Sequence, residues 1–222
     1  MLIPWKTYTI DDLKFRLPDK SKMRESVKIL LIDDQPFEHE DALRGLGFNI
    51  TTYKRWNSVR DAIPYEIIVS DIRDVTPDFP SLPSQGANML YQVKKDYPEK
   101  VCIVYTSSPI TKDDDKSLFD GMNLLGKSDD IDDWATLLDD KIQLLRNPKN
   151  IWFSIEHYLE QIGVSQKFIN KKQDKYVRCL LSGKASTLKD LFNEEEASKA
   201  DFNINQILNI LNGAIKIASL FS

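Results

Sequence analysis

Two adjacent aspartates, Asp33 and Asp34, close the apolar run Ile29-Leu30-Leu31-Ile32. Like charges at contact raise each other's pKa, so such a pair at the end of a buried strand is costly unless a cation sits beside it. Further along, Asp71 follows Ile67-Ile68-Val69-Ser70, Thr106 closes Val101-Cys102-Ile103-Val104-Tyr105, and Lys127 follows Met122-Asn123-Leu124-Leu125-Gly126. In a parallel sheet the residues just after each strand share one edge, and ligands bind at the carboxyl ends of the strands, where strand order reverses. Three carboxylates, a hydroxyl and an ammonium at one rim make a metal-binding edge. One aspartate after one strand is an ordinary turn residue. The same set at four strand ends in order is not explained by turns.

The elements that must position these residues alternate. Strands are predicted over 27–32, 48–53, 65–70, 101–106 and 122–125. Helices are predicted over 37–46, 58–63, 86–97 and 111–119, with a last one through Ile131, Trp134, Leu138, Ile142 and Leu145. Pro36 suits the first position of a helix, and Gly47 suits a stop. Strands alternating with helices of this length imply a parallel sheet covered on both faces. Right-handed crossovers then favour a doubly wound, five-stranded α/β sheet of order 2-1-3-4-5. The segment 72–85 holds Pro77, Pro80 and Pro83 and reads as a long, stiff loop.

Asn147-Pro148-Lys149-Asn150 breaks the alternation, and beyond it only helix signals occur: 151–162, 165–181, 187–193 and 203–221. In the last of these, Ile204, Ile207, Leu208, Leu211, Ala214, Ile215 and Ala218 form a wide apolar arc, as expected of a helix central to its domain or in a dimer interface. The expected organisation is an extension over 1–26 that packs on the domain to follow, the α/β domain over 27–147, and a second, smaller all-α domain over 148–222.

The motifs ILLIDD (29–34), IIVSD (67–71), IVYTS (103–107) and LLGK (124–127) together resemble the receiver domain of two-component response regulators, over about residues 27–146. The resemblance implies that Asp71 accepts a phosphoryl group from a histidine kinase or phosphotransfer protein. It implies that Asp33, Asp34 and Asp71 hold Mg²⁺, and that Thr106 and Lys127 serve the phosphoryl group. It implies no turnover of a separate substrate, only self-phosphorylation from small phosphodonors and self-dephosphorylation. Elementary chemistry agrees. Mg²⁺ prefers oxygen ligands and works with phosphate, a cation and a lysine stabilise a phosphoryl group in transfer, and a carboxylate can be the nucleophile. The chain departs from the family in places. Ser128 follows the lysine where proline is usual, and Leu124 stands where an aromatic switch residue is usual. Arg73, two residues after Asp71, is placed to pair with the phosphoryl group or screen it from water.

The formal net charge is −4, with −6 on residues 1–147 and +2 on 148–222. Nothing global points to nucleic acid. No long apolar run or leader pattern occurs, and the only two cysteines, Cys102 and Cys179, fall inside predicted elements. These features point to the cytoplasm, with no membrane partner. Glu38, His39 and Glu40 read as a solvated first turn, because helix neighbours do not share a face. His157 reads as an ordinary helix histidine. Lys167, Lys171, Lys175 and Arg178 line one helix face, read as solvated. The output of the helical module is therefore expected to be protein contact, including a homodimer through the C-terminal helices or the 108–145 face. Three other readings stay open: a DNA-binding transcriptional regulator, a receiver-fold scaffold that is never phosphorylated, and a phosphate-ester hydrolase using the same rim.

Overall fold

The computed structural model describes residues 5–14, 18–73, 75–76, 85–107, 116–119, 121–200 and 202–219. It divides into two compact units, residues 20–142 and residues 1–19 with 143–222.

The first unit is built on five parallel strands: β1 (Lys28–Ile32), β2 (Asn49–Tyr53), β3 (Ile67–Asp71), β4 (Val101–Thr106) and β5 (Asn123–Gly126). Their order is β2-β1-β3-β4-β5, as expected. The helices of this unit are α1 (Lys20–Ser26), α2 (Glu40–Gly45), α3 (Gln85–Asp96) and α4 (Ile131–Arg146). Apolar residues occupy both faces of the sheet because helices cover both. Leu30, Ile32, Ile68, Cys102 and Val104 pack with Ala87, Leu90 and Val93 of α3. Ile29, Leu31, Val69, Ile103 and Tyr105 alternate with them and are equally buried. Register brings Ile32 beside Ser70, and Asp71 beside Tyr105, so the chemically active strand ends finish at one level.

Several expectations shift. The helix after β1 begins at Glu40 rather than Phe37, because the Phe37 ring turns inward and packs against Tyr105 and Trp134 at 5.5 and 4.8 Å. Residues 58–63 form a 3-10 turn over Val59–Ala62, with the Ser58 hydroxyl accepting from the Arg60 N–H. Residues 116–119 are likewise a 3-10 turn, and the rest of the expected 111–119 helix lies outside the described residues. Most of the proline-rich 72–85 segment also lies outside them. Helix α1 was not expected. Arg24 fixes it by pairing with Asp139 of α4 through Nε and a second guanidinium nitrogen, both at 2.8 Å, while donating to the Leu46 carbonyl.

The regular elements of the second unit, among its described residues, are helices: α5 (Pro148–Gln161), α6 (Gln166–Leu181), α7 (Glu194–Ala200) and α8 (Ile204–Ser219), with a 3-10 turn over Ala185–Asp190. Asn147 caps α5 by accepting from the Lys149 N–H, and Pro148 occupies the first turn. Ile207, Leu211 and Ala214 of α8 are fully buried in this unit's own core, so the apolar arc is internal. The 1–26 extension is divided differently from the expectation. Tyr8, Ile10 and Leu13 join the helical core, and the Tyr8 N–H donates to Asp174 at 2.6 Å, because three apolar side chains there find a ready-made cluster. The basic face of α6 is also altered. Lys167, Lys171 and Lys175 are exposed, but Arg178 turns to Asp174 and lies over the Tyr8 ring.

Asp139 tests the electrostatic part of this packing. Burial raises its pKa, but Arg24 and Lys20 outweigh that and hold the carboxyl below its ordinary value. A carboxyl depressed in the folded state contributes stability above its unfolded pKa of about 4 and loses it as pH falls through the lower, folded value. Arg24→Met is expected to cost about 2 kcal/mol at neutral pH, from the lost charged hydrogen bonds. In urea melts, the gap to the wild type should narrow as pH falls below about 4.

Candidate functional site

The carboxyl edge of the sheet gathers the expected residues. Asp33 follows β1, Asp71 ends β3, and one carboxylate oxygen from each of Asp33, Asp34 and Asp71 lies within 4.8 Å of the other two. Lys127, just after β5, reaches across β4 to both strands, with Nζ 3.0 Å from Asp33 Oδ2 and 2.7 Å from Asp71 Oδ2. Thr106 ends β4, and its carbonyl accepts the Lys127 N–H at 2.9 Å, which fixes where the lysine leaves the sheet. Asp33 is 2% exposed and Asp71 8%, so these two carboxylates are largely out of water, while Asp34 is half-buried.

Burial sets the electrostatics. It holds the Asp71 carboxyl above the usual aspartate range, the Asp33 charge adds to that, and Lys127 and the Ile72 N–H offset it only in part. Burial works against the Lys127 ammonium, yet Asp71 and Asp33 outweigh it and keep its pKa above the ordinary lysine value. Three carboxylates and one ammonium leave a formal surplus of two negative charges. The donors are all hard oxygens at close quarters, which fits a small divalent cation such as Mg²⁺. Asp33, Asp34 and Asp71 are the residues that would hold it.

Neighbouring residues hold this edge in place. Gly86, at the start of α3, is pressed against the end of β3: a Cβ there would stand 1.7 Å from the Asp71 carbonyl oxygen. Its N–H donates to the Ile72 carbonyl at 3.0 Å. The Trp56 indole donates to the Ser70 hydroxyl at 3.1 Å, and that hydroxyl donates to the Asp71 carbonyl at 2.9 Å. On the β5 side, Asp129 closes the turn that carries Lys127 by accepting the Gly126 N–H at 2.7 Å. His39 Nε2 lies 3.0 Å from the Asp129 carbonyl and so carries the proton in that contact. His39 is thus more than part of a solvated turn, whereas Glu38 is exposed and Glu40 pairs with Arg44 and Thr52. His157 forms a side-chain hydrogen bond with Gln161 of its own helix at 2.9 Å.

The residue that sequence reasoning missed at the centre of the site is Tyr105. Its hydroxyl donates to Asp33 Oδ2, the same oxygen that accepts from Lys127. Tyr105 sits inside an apolar strand and is fully buried, so its sequence position reads as core. Trp56 was missed for the same reason. A buried hydroxyl or indole N–H needs a partner, and that need is the one signal that could have drawn attention to either. Leu124 is 53% exposed.

No family model matches the chain, and no curated protein matches it. Solved structures similar to it include the Vibrio cholerae chemotaxis protein CheY4, at 17% identity and TM-score 0.41, covering 51% of this chain and 97% of that one. The receiver domain of nitrogen regulatory protein C in its apo form is similar at 24% identity and TM-score 0.42, covering 54% of this chain and 96% of that one. HP1043, an orphan response regulator of H. pylori, is similar at 14% identity and TM-score 0.42, over 54% and 98%. These likenesses cover about half of the chain.

The close approach at Gly86 predicts a sharp contrast between two glycines. Gly86→Ala is expected to lower stability by about 1–3 kcal/mol, because the methyl group meets backbone that cannot move aside cheaply. Gly45→Ala in α2, where an added Cβ meets nothing within 4 Å, should be neutral or stabilising by up to about 1 kcal/mol. Chemical denaturation of the two variants checks this, and equal effects would contradict it.

Proposed function

We propose that this protein is a response-regulator-like signalling protein that accepts a phosphoryl group on Asp71 in the presence of Mg²⁺. The observation that carries the reading is the bridging lysine: Lys127 Nζ bonds Oδ2 of both Asp33 and Asp71 inside a cluster of three carboxylates. Bound Mg²⁺ supplies charge neutralisation for the acidic cluster and for the phosphoryl oxygens. A carboxylate oxygen of Asp71 forms the new bond to phosphorus. The bond from phosphorus to the donor's leaving group breaks, and its electron pair departs with that group, as acetate from acetyl phosphate or imidazole from a phosphohistidine. Lys127 stays beside the oxygens that carry the added charge. Thr106, at the same edge on β4, offers its hydroxyl to one of them.

The donor in this reading is a histidine kinase or phosphotransfer protein. The output runs through the helical unit by protein contact, with itself or a partner, rather than by binding DNA. The loss of Arg178 from the exposed basic face of α6 supports that choice. Among the described residues no helix is long and apolar enough to cross a membrane.

Incubation with acetyl phosphate and Mg²⁺ followed by intact mass measurement tests the reading. The wild type is expected to gain the mass of one phosphoryl group. Asp71→Asn should gain none, and Lys127→Ala should gain it at least about tenfold more slowly, from the loss of one charged contact to the transferred group. A wild type that binds Mg²⁺ by calorimetry yet never gains mass would instead be a receiver-fold scaffold.

A further inference from the structure

We propose that Tyr105 is a positioning residue of this site, and that through its ring the occupancy of the site is felt by Trp134 at the start of α4. The inference rests on the phosphoryl-acceptor reading above and adds a route of response to it.

The starting point is one shared oxygen. Asp33 Oδ2 accepts from the Tyr105 hydroxyl and from Lys127 Nζ, while Asp33 Oδ1 accepts the Gln35 N–H at 2.9 Å. Lys127 divides itself between this oxygen and Asp71 Oδ2. Any new anionic oxygens on Asp71, or any cation among the carboxylates, must change how Lys127 and Asp33 share their bonds. Tyr105 experiences that change twice: through its hydrogen bond to Asp33, and through Lys127 Nζ standing 5.1 Å from its ring centroid. A fully buried hydroxyl has no water to turn to, so its orientation follows Asp33.

The other end of the tyrosine is built into a cluster of aromatic rings. Its ring meets Trp134 edge-on at 5.5 Å and Phe37 at 5.5 Å, and Phe37 closes the triangle to Trp134 at 4.8 Å. Such contacts are directional, because ring edges and faces carry opposite partial charge. Close packing leaves little slack for one ring to move without its neighbours. The Trp134 side chain is fully buried, and its indole N–H makes no hydrogen bond among the described residues, so the surrounding rings set its environment. Leu124 of β5 has neither a ring nor a polar end, so its side chain makes no hydrogen bond. Tyr105 thus joins the carboxylates to a helix by a hydrogen bond at one end and ring contacts at the other.

Fluorine NMR of the full chain labelled with fluorotryptophan tests this, since the chain has four tryptophans and each gives its own resonance. Trp134 is assigned by the resonance missing from Trp134→Phe. Trp56, which bonds Ser70 beside Asp71, serves as an internal reporter of the site itself. Mg²⁺ and then acetyl phosphate are added, and intact mass is followed in parallel. In the wild type both resonances should shift as the phosphoryl mass appears. In Tyr105→Phe, compared with the wild type at equal phosphoryl mass gained however slowly it accrues, the Trp56 shift should remain while the Trp134 shift falls to less than about a third. A purely structural tyrosine would not separate the two reporters in this way. A Trp134 shift of full size in Tyr105→Phe overturns the proposal. So does a wild-type Trp134 resonance that stays in place while the mass is gained, a result that needs no variant to fold. A wild type that gains neither mass nor Mg²⁺ sinks the phosphoryl-acceptor reading first and takes this inference with it.

Discussion

The ammonium of Lys127 between Asp33 and Asp71 is the contact on which the rest of the α/β unit depends. Three carboxylates brought to one sheet edge, two of them buried, repel one another, and a folded state that gathers them must supply positive charge. The lysine supplies part of it, from a turn that reaches over β4 to β3 and β1. Because Asp33, Asp71 and Lys127 come from three different strands, the contact exists only if strand order and register are both correct. Strand order β2-β1-β3-β4-β5 places β3 between the other contributors, and a slip of one residue would turn Asp71 to the other side of the sheet.

The residues around the cluster follow from that requirement. Gly86 lets α3 begin directly against the Asp71 carbonyl, and Trp56 holds Ser70, which holds the same carbonyl. On the far side, Asp129 closes the turn before α4, and His39 grips that turn from the opposite end of the sheet edge. None of these side chains adds charge to the cluster. Each fixes the backbone that presents a charged group, which matters more for a site of short contacts than for a core of apolar ones.

Much of this was legible in the chain because periodicity and punctuation are local. Apolar strand runs, the residues that end them and the helices between them gave the sheet order, and with it the shared edge for Asp33, Asp34, Asp71, Thr106 and Lys127. What was not legible depends on partners distant in sequence. Tyr105 and Asp33 are 72 positions apart, and a tyrosine in a strand of valines and isoleucines is indistinguishable from core until the hydroxyl's partner is known. The partners of the 1–26 extension were not legible because Tyr8, Ile10 and Leu13 complete a cluster supplied by residues after 150. The start of α2 was misplaced because Pro36 permits a helix there, whereas burial of the Phe37 ring decided otherwise. Local preference lost to tertiary packing in each case.

The helical unit supplies the contrast that gives the acidic edge its meaning. Lys172 is also buried, at 2% exposed, and its ammonium meets the Leu191 carbonyl and the Glu196 carboxylate, each at 2.5 Å, with the Phe168 and Phe192 rings nearby. One cation meets one anion there, and the remaining donors find a carbonyl and ring faces. Burial still lowers its pKa despite the Glu196 carboxylate, as expected when two charges leave water together. Such a pair is complete within the protein and serves to tie α6 to the turn and helix that follow. At the sheet edge one lysine faces three carboxylates, and the formal charge does not close. A buried ion pair whose charges match needs nothing further to explain it. A cluster with two buried carboxylates and a third half-buried, left with two negative charges over, needs protons, water or a cation to complete it, and the last of these suits oxygen donors on rigid strand ends.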